Sequence, residues 1–124
     1  MNEKAALKSL AALAQETRLA IFRLLVQQGP EGLAVGTIAD QLHLANATLS
    51  FHLKELANAE LISAVQDGRF IYYSAKYHVM NDLLAYLTEN CCQGDSCLPK
   101  ISVVTVVAKR SSRLQKAANA KARR

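Results

Sequence analysis

Hydrophobic residues recur at helical spacing through most of this chain. Leu7, Leu10, Ala11 and Leu13 predict a first helix over about 3–14. A second follows over about 17–28, with Thr17 as its cap, Ile21, Leu24 and Leu25 as its apolar set, and Gln28-Gly29-Pro30 as its stop signal. A short third helix at about 35–42 turns Ile38 and Leu42 inward. Asn46 is a good N-cap for a fourth helix near 47–59, where Leu49, Leu53 and Leu56 fall at i, i+4 and i+7 and form one buried stripe. The period then changes. Residues 62–66 and 70–74 are short β-prone runs around Asp67-Gly68, a strong hairpin signal. A fifth helix is predicted over about 77–91, with Val79, Met80, Leu83, Leu84 and Leu87 on one face, a stripe broad enough to require a covering surface. Residues 101–107 have β character without a hairpin partner, and an added strand, a segment packed on a dimer mate and a tail all remain open.

At 124 residues, 51% hydrophobic, with two prolines and five glycines, the chain reads as one folded, mainly helical unit. No apolar run approaches the roughly 20 residues that span a bilayer, and the N-terminus lacks a signal-peptide core, so a cytoplasmic protein is expected, with reduced thiols. The net charge of +5 is unevenly placed. Residues 109–124 hold seven basic side chains and no acid, which leaves residues 1–108 with eight bases against ten acids. Overall basicity therefore does not mark the body as a nucleic-acid binder. The tail is either a solubilising end or a non-specific phosphate-binding arm.

Helix, short helix, turn, helix and hairpin, in that order, is the plan of a winged helix-turn-helix. With Leu49, Leu53 and Leu56 inward, about 100° per residue puts Thr48, Ser50, Phe51, Lys54 and Asn58 on or near the outer side of the fourth helix. Thr48, Ser50 and Phe51 can enter a major groove while Lys54 reaches phosphate. Phe51 either touches a thymine methyl or folds back as core. His52, at the edge of the stripe, is a packing or phosphate-contacting residue. Arg69 at the hairpin tip is a minor-groove or backbone contact, or an ordinary surface charge.

The only three cysteines, Cys91, Cys92 and Cys97, lie within seven residues. Such a cluster can close around one thiophilic ion, and its odd count argues against a disulfide framework. Neighbouring helical side chains diverge, so convergence of Cys91 and Cys92 requires the last turn to re-form, which Asn90 and Gly94 permit.

Three stretches resemble the ArsR/SmtB family of metal-sensing repressors: Ala14-Gln15-Glu16-Thr17-Arg18-Leu19-Ala20-Ile21, Ile38 to Leu42 with Ser50-Phe51-His52-Leu53, and Gly68-Arg69-Phe70-Ile71-Tyr72-Tyr73. The resemblance covers about residues 4–92. It implies a mainly α, winged helix-turn-helix fold, a homodimer formed by the first and fifth helices, and a palindromic double-stranded DNA operator. The family's Cys-Val-Cys arsenic site aligns with Ala34-Val35-Gly36, which has no sulfur. Its interhelical zinc pattern is not met by His78, Asp82 and Glu89. What remains, Cys-Cys-x4-Cys, is similar to the C-terminal arsenite sites of another arsenic-responsive branch.

The expected division is thus residues 1–92 for DNA binding and dimerisation and 93–124 for the cysteine loop and basic tail. The expected function is a repressor with no constitutive cofactor and with trivalent arsenic as inducer at Cys91, Cys92 and Cys97. Trivalent arsenic takes three sulfurs in a pyramid, whereas zinc asks for a fourth ligand. Methylarsenite or antimonite held by the vicinal pair is one alternative, and thiol redox sensing another. A Cys91–Cys92 disulfide is disfavoured because adjacent Cα atoms are about 3.8 Å apart and disulfides prefer about 4.4–6.8 Å, while a bridge from either to Cys97 is easier. No nucleophile paired with a base and no phosphate-cradling loop suggests an enzyme.

Overall fold

The computed structural model describes residues 1–94. Its elements are α1 (Glu3–Leu13), α2 (Glu16–Gln28), β1 (Leu33–Ala34), α3 (Val35–Leu42), α4 (Asn46–Asn58), β2 (Ile62–Asp67), β3 (Phe70–Ala75), α5 (Tyr77–Leu87) and a short turn, Cys91–Gly94. The strand-like run 101–107 and the basic tail lie outside the described residues.

Two predicted caps are corrected. Gln15, not Thr17, caps α2, its Oε1 accepting the Arg18 amide at 2.8 Å, while Thr17 sits inside the first turn. Asn46 is the first residue of α4 rather than its cap, and Ala45 before it offers no side-chain bond. α2 thus begins two residues, and α4 one residue, earlier than caps at Thr17 and Asn46 imply.

One apolar core joins the elements. Ile21 and Leu25 of α2, Ile38 of α3, the predicted stripe Leu49, Leu53 and Leu56 of α4, and Leu61 and Ile62 at the start of β2 are buried together. Removing one such large side chain typically costs about 2–5 kcal/mol. α1 docks by its small face: Ala6, Ser9 and Ala12 are buried, so the helix approaches closely, and of the predicted stripe Leu7 and Leu10 turn outward while Leu13 packs against the core. Tyr77 pins α5 to the end of α2, its hydroxyl donating to the Val26 carbonyl at 2.9 Å and the Leu25 carbonyl at 3.3 Å.

The hairpin forms around Gly68 as expected, with Asp67 opposite Phe70 and Ile62 opposite Ala75. A third strand was not foreseen. β1 pairs with β3, Leu33 opposite Tyr73, giving the sheet order β1-β3-β2. Two residues are too few for a period-2 signal. Gly32 makes this pairing possible: its φ is +72°, and a Cβ there would fall on the Tyr73 carbonyl oxygen.

α5 ends at Leu87, earlier than the predicted 91. Thr88 Oγ1 donates to the Leu84 carbonyl at 2.8 Å, and the chain then closes in three-residue turns through Cys91 N–H to Thr88 and Gln93 N–H to Asn90. Asn90, Cys92 and Gln93 all take left-handed φ values of 52–58°. The last predicted turn of helix is therefore re-formed as a turn, the rearrangement that convergence of the two cysteines requires.

Candidate DNA interface and cysteine site

α4 presents Thr48, Ser50, Phe51 and Lys54 to solvent along one side, opposite its leucine stripe. Phe51 is 57% exposed, which overturns the option that it folds back as core. Its ring stands edge-on to His52, with centroids 5.3 Å apart and planes at 65°. His52 itself is only 9% exposed. It packs as one of its two expected roles required, and in this conformation it is turned away from any groove that α4 enters. Its Nδ1 lies 3.5 Å from Nη1 of Arg18, whose Nε donates to the Ala12 carbonyl at 2.6 Å. Arg18 lies in one of the family-like stretches, and the sequence alone assigns it no role. The only available signal was a guanidinium placed among apolar positions of a core helix.

At the wing, Gly68 adopts φ +64°, which turns the chain tightly and leaves Arg69 exposed at the tip. Phe70 beside it is 60% exposed and leans on Tyr72, with ring centroids 6.4 Å apart. At the base of the hairpin, Lys76 donates a hydrogen bond to Glu60, and that bond holds the Glu60 carboxyl below its usual range.

Cys91 is half-buried and Cys92 exposed at the end of the α5 segment, with their sulfurs 3.6 Å apart. That separation is too long for a bond between them and short enough for one ion with metal–sulfur bonds of about 2.3 Å. Cys92 is disulfide-bonded in the structure. A bonded sulfur offers no thiolate, so the two sulfurs cannot act together as thiolate ligands until that bond is reduced. Cys97, the third predicted ligand, lies outside the described residues. Among the described residues, no three His, Cys, Asp or Glu side chains converge as a metal site, and no helix is long and apolar enough to cross a membrane.

Known proteins share this architecture. Residues 13–64 match the helix-turn-helix domain family. The transcriptional repressor SdpR of Bacillus subtilis is 33% identical over 87 residues, 70% of this chain and 93% of that protein. The arsenical resistance operon repressor of the same organism is 34% identical over 92 residues, 69% of this chain and 84% of that one. Among solved structures, an ArsR-like transcriptional regulator from Rhodococcus superposes with a TM-score of 0.61 at 27% identity, covering 68% of this chain and 76% of the other. A homodimeric winged helix-turn-helix DNA-binding domain from Mycobacterium bovis gives 0.56 at 27%, covering 74% and 90%. These relatives are transcriptional regulators and not enzymes. With the helix order, the wing and the exposed face of α4, they identify the chain as a member of the ArsR/SmtB family of winged helix-turn-helix, DNA-binding transcriptional repressors.

Proposed function

We propose that this repressor leaves its operator when trivalent arsenic binds Cys91, Cys92 and Cys97. The observation that carries the reading is the 3.6 Å approach of the Cys91 and Cys92 sulfurs at the end of α5. Two sulfurs already within chelating distance need only reduction of Cys92 and a third sulfur, and the chain's remaining cysteine follows five residues later. The arsenical resistance repressor among the relatives points the same way.

In this reading residues 1–92 form the DNA-binding and dimerising unit, and residues 93–124 add the third sulfur and a basic arm. Leu7 is 59% and Leu87 55% exposed, so α1 and α5 each carry apolar surface that no other described residue covers. A two-fold pairing through these helices covers it, as the homodimeric relative from Mycobacterium bovis suggests. Two copies of α4 then address half-sites about 34–36 Å apart in a palindromic duplex. Thr48, Ser50 and Phe51 face base edges, Lys54 faces phosphate, and Arg69 meets the backbone or minor groove. Closing three sulfurs on one ion reshapes the end of a dimer helix and so shifts the spacing of the two reading helices. By linkage, DNA weakens arsenic binding by the same factor, about 1–3 kcal/mol.

The test is release of bound duplex on titration with arsenite, then methylarsenite, under reducing conditions in the cytoplasmic range of thiol potential. Release by wild type and none by the triple serine variant is expected. Release from the triple variant sinks the reading, since no thiol would remain. A second reading, a thiol redox-sensing repressor, is favoured by the disulfide at Cys92. Its mark is release by a mild oxidant with arsenite absent.

A further inference from the structure

The large exposed hydrophobic side chains among the described residues fall, Leu19 apart, into two groups. Met1, Leu7, Leu10 and Leu87 lie on or beside α1 and α5. Phe51, Phe70 and Ile71 lie on α4 and the wing. The chain has three phenylalanines: Phe22 is core, and the other two are the most exposed aromatics described, one on each element with which a winged helix meets DNA.

Phe70 occupies a particular place. In β3, Tyr73 and Ala75 pack toward the core, so alternation puts Phe70, Tyr72 and Ser74 on the opposite face, where Ser74 approaches Ser63 at 3.4 Å. The Phe70 ring rests on Tyr72 and is thereby held in place at little conformational cost. The cation that would meet a phosphate, Arg69, directly precedes it. Residues 1–94 carry seven bases against nine acids, so phosphate neutralisation by this part of the chain is weak and apolar contacts carry more of its recognition.

We propose that Phe70 is a specificity-determining residue of the wing, an apolar wedge that enters the minor groove flanking each half-site and partly unstacks one base step. This rests on α4 and the wing being the DNA-binding face, and not on arsenic as inducer. Unstacking is least costly at flexible pyrimidine–purine steps, TA or CA/TG, so the wing reads deformability at a position where α4 makes no contact. Arg69 anchors the adjacent backbone.

The experiment is selection by the full chain from a library of randomised duplexes, followed by affinity and bend measurements on the selected duplex. Wild type is expected to select a half-site core and, at a fixed distance outside it, a pyrimidine–purine step. Changing that step should weaken binding about tenfold. Phe70→Ala should reduce the step preference to less than about twofold and diminish the bend, with the core preference retained; Phe70→Leu, still apolar, should keep both. The proposal is overturned if Phe70→Ala selects the same flanking step as wild type, or if it loses core and flank preference together. Should Phe70→Ala melt at lower temperature, Phe70→Leu is compared with Phe70→Gln, and equal flank preference in that pair overturns the proposal. Failure of wild type to select any sequence would instead overturn the reading of the DNA face.

Discussion

Arg18 reaches from the first turn of α2 to His52 in the middle of α4, with Nη1 3.5 Å from Nδ1, while its Nε donates to the Ala12 carbonyl. One guanidinium thus ties the end of α1 to α4. Arginine only donates, so Nδ1 is the acceptor in this contact. The edge of that ring in turn supports Phe51. The orientation of the exposed Phe51 side chain is therefore linked through His52 to a buried contact with the end of α1.

Arg18→Ala should lower stability by about 1–3 kcal/mol, because it leaves the Ala12 carbonyl and His52 Nδ1 without their charged donor. Arg18→Lys should recover little, since an ammonium cannot span both acceptors as the fork does. Urea unfolding measures both. A lysine variant as stable as wild type would show that only the charge matters there.

Thr48→Ala and Ser50→Ala should relax sequence preference, while Lys54→Ala should weaken all duplexes alike and flatten the salt slope by about one unit. All three side chains are exposed, so folding should be unaffected. Unchanged binding in all three variants, measured by anisotropy across salt concentrations, would remove α4 as the reader.

Burial pushes the Tyr77 phenol above its usual 10.0, an effect partly offset by a hydrogen bond from the Gly29 amide. The folded protein therefore holds this proton at pH values where the unfolded chain has lost it. The contribution to stability is full below pH 10.0 and is lost as pH rises through the raised folded value. Tyr77→Phe should cost about 1 kcal/mol at neutral pH through the lost bonds to Leu25 and Val26. It should also flatten the alkaline decline, which thermal melts between pH 8 and 11 would record; an equally steep decline would assign it to another group.

Cys97→Ser removes the third sulfur and leaves the vicinal pair. Arsenite response should collapse, because a pyramidal trithiolate loses one of its three bonds, whereas methylarsenite, satisfied by two sulfurs, should still release DNA in part. Cys91→Ser and Cys92→Ser should impair both responses, and none of the three should weaken operator binding. Full arsenite sensitivity in Cys97→Ser would reduce the site to two sulfurs.

The order and kind of the five helices and the hairpin are legible in local pattern alone. Leu49, Leu53 and Leu56 announce a buried stripe through local periodicity, and Asp67-Gly68 announces a turn through local backbone preference. Tertiary structure alone decided what depends on neighbours distant in the chain. The strand at Leu33 exists because Gly32 lets the backbone approach Tyr73. Leu7 and Leu10 of α1 face outward because Ala6, Ser9 and Ala12 allow closer docking. His52 and Phe51, adjacent in sequence, have opposite fates because 100° of helical rotation carries one against Arg18 and the other into solvent. The cysteine pair was legible as a cluster, but the approach of its sulfurs rests on the left-handed turn after α5, and no periodicity encodes such a turn.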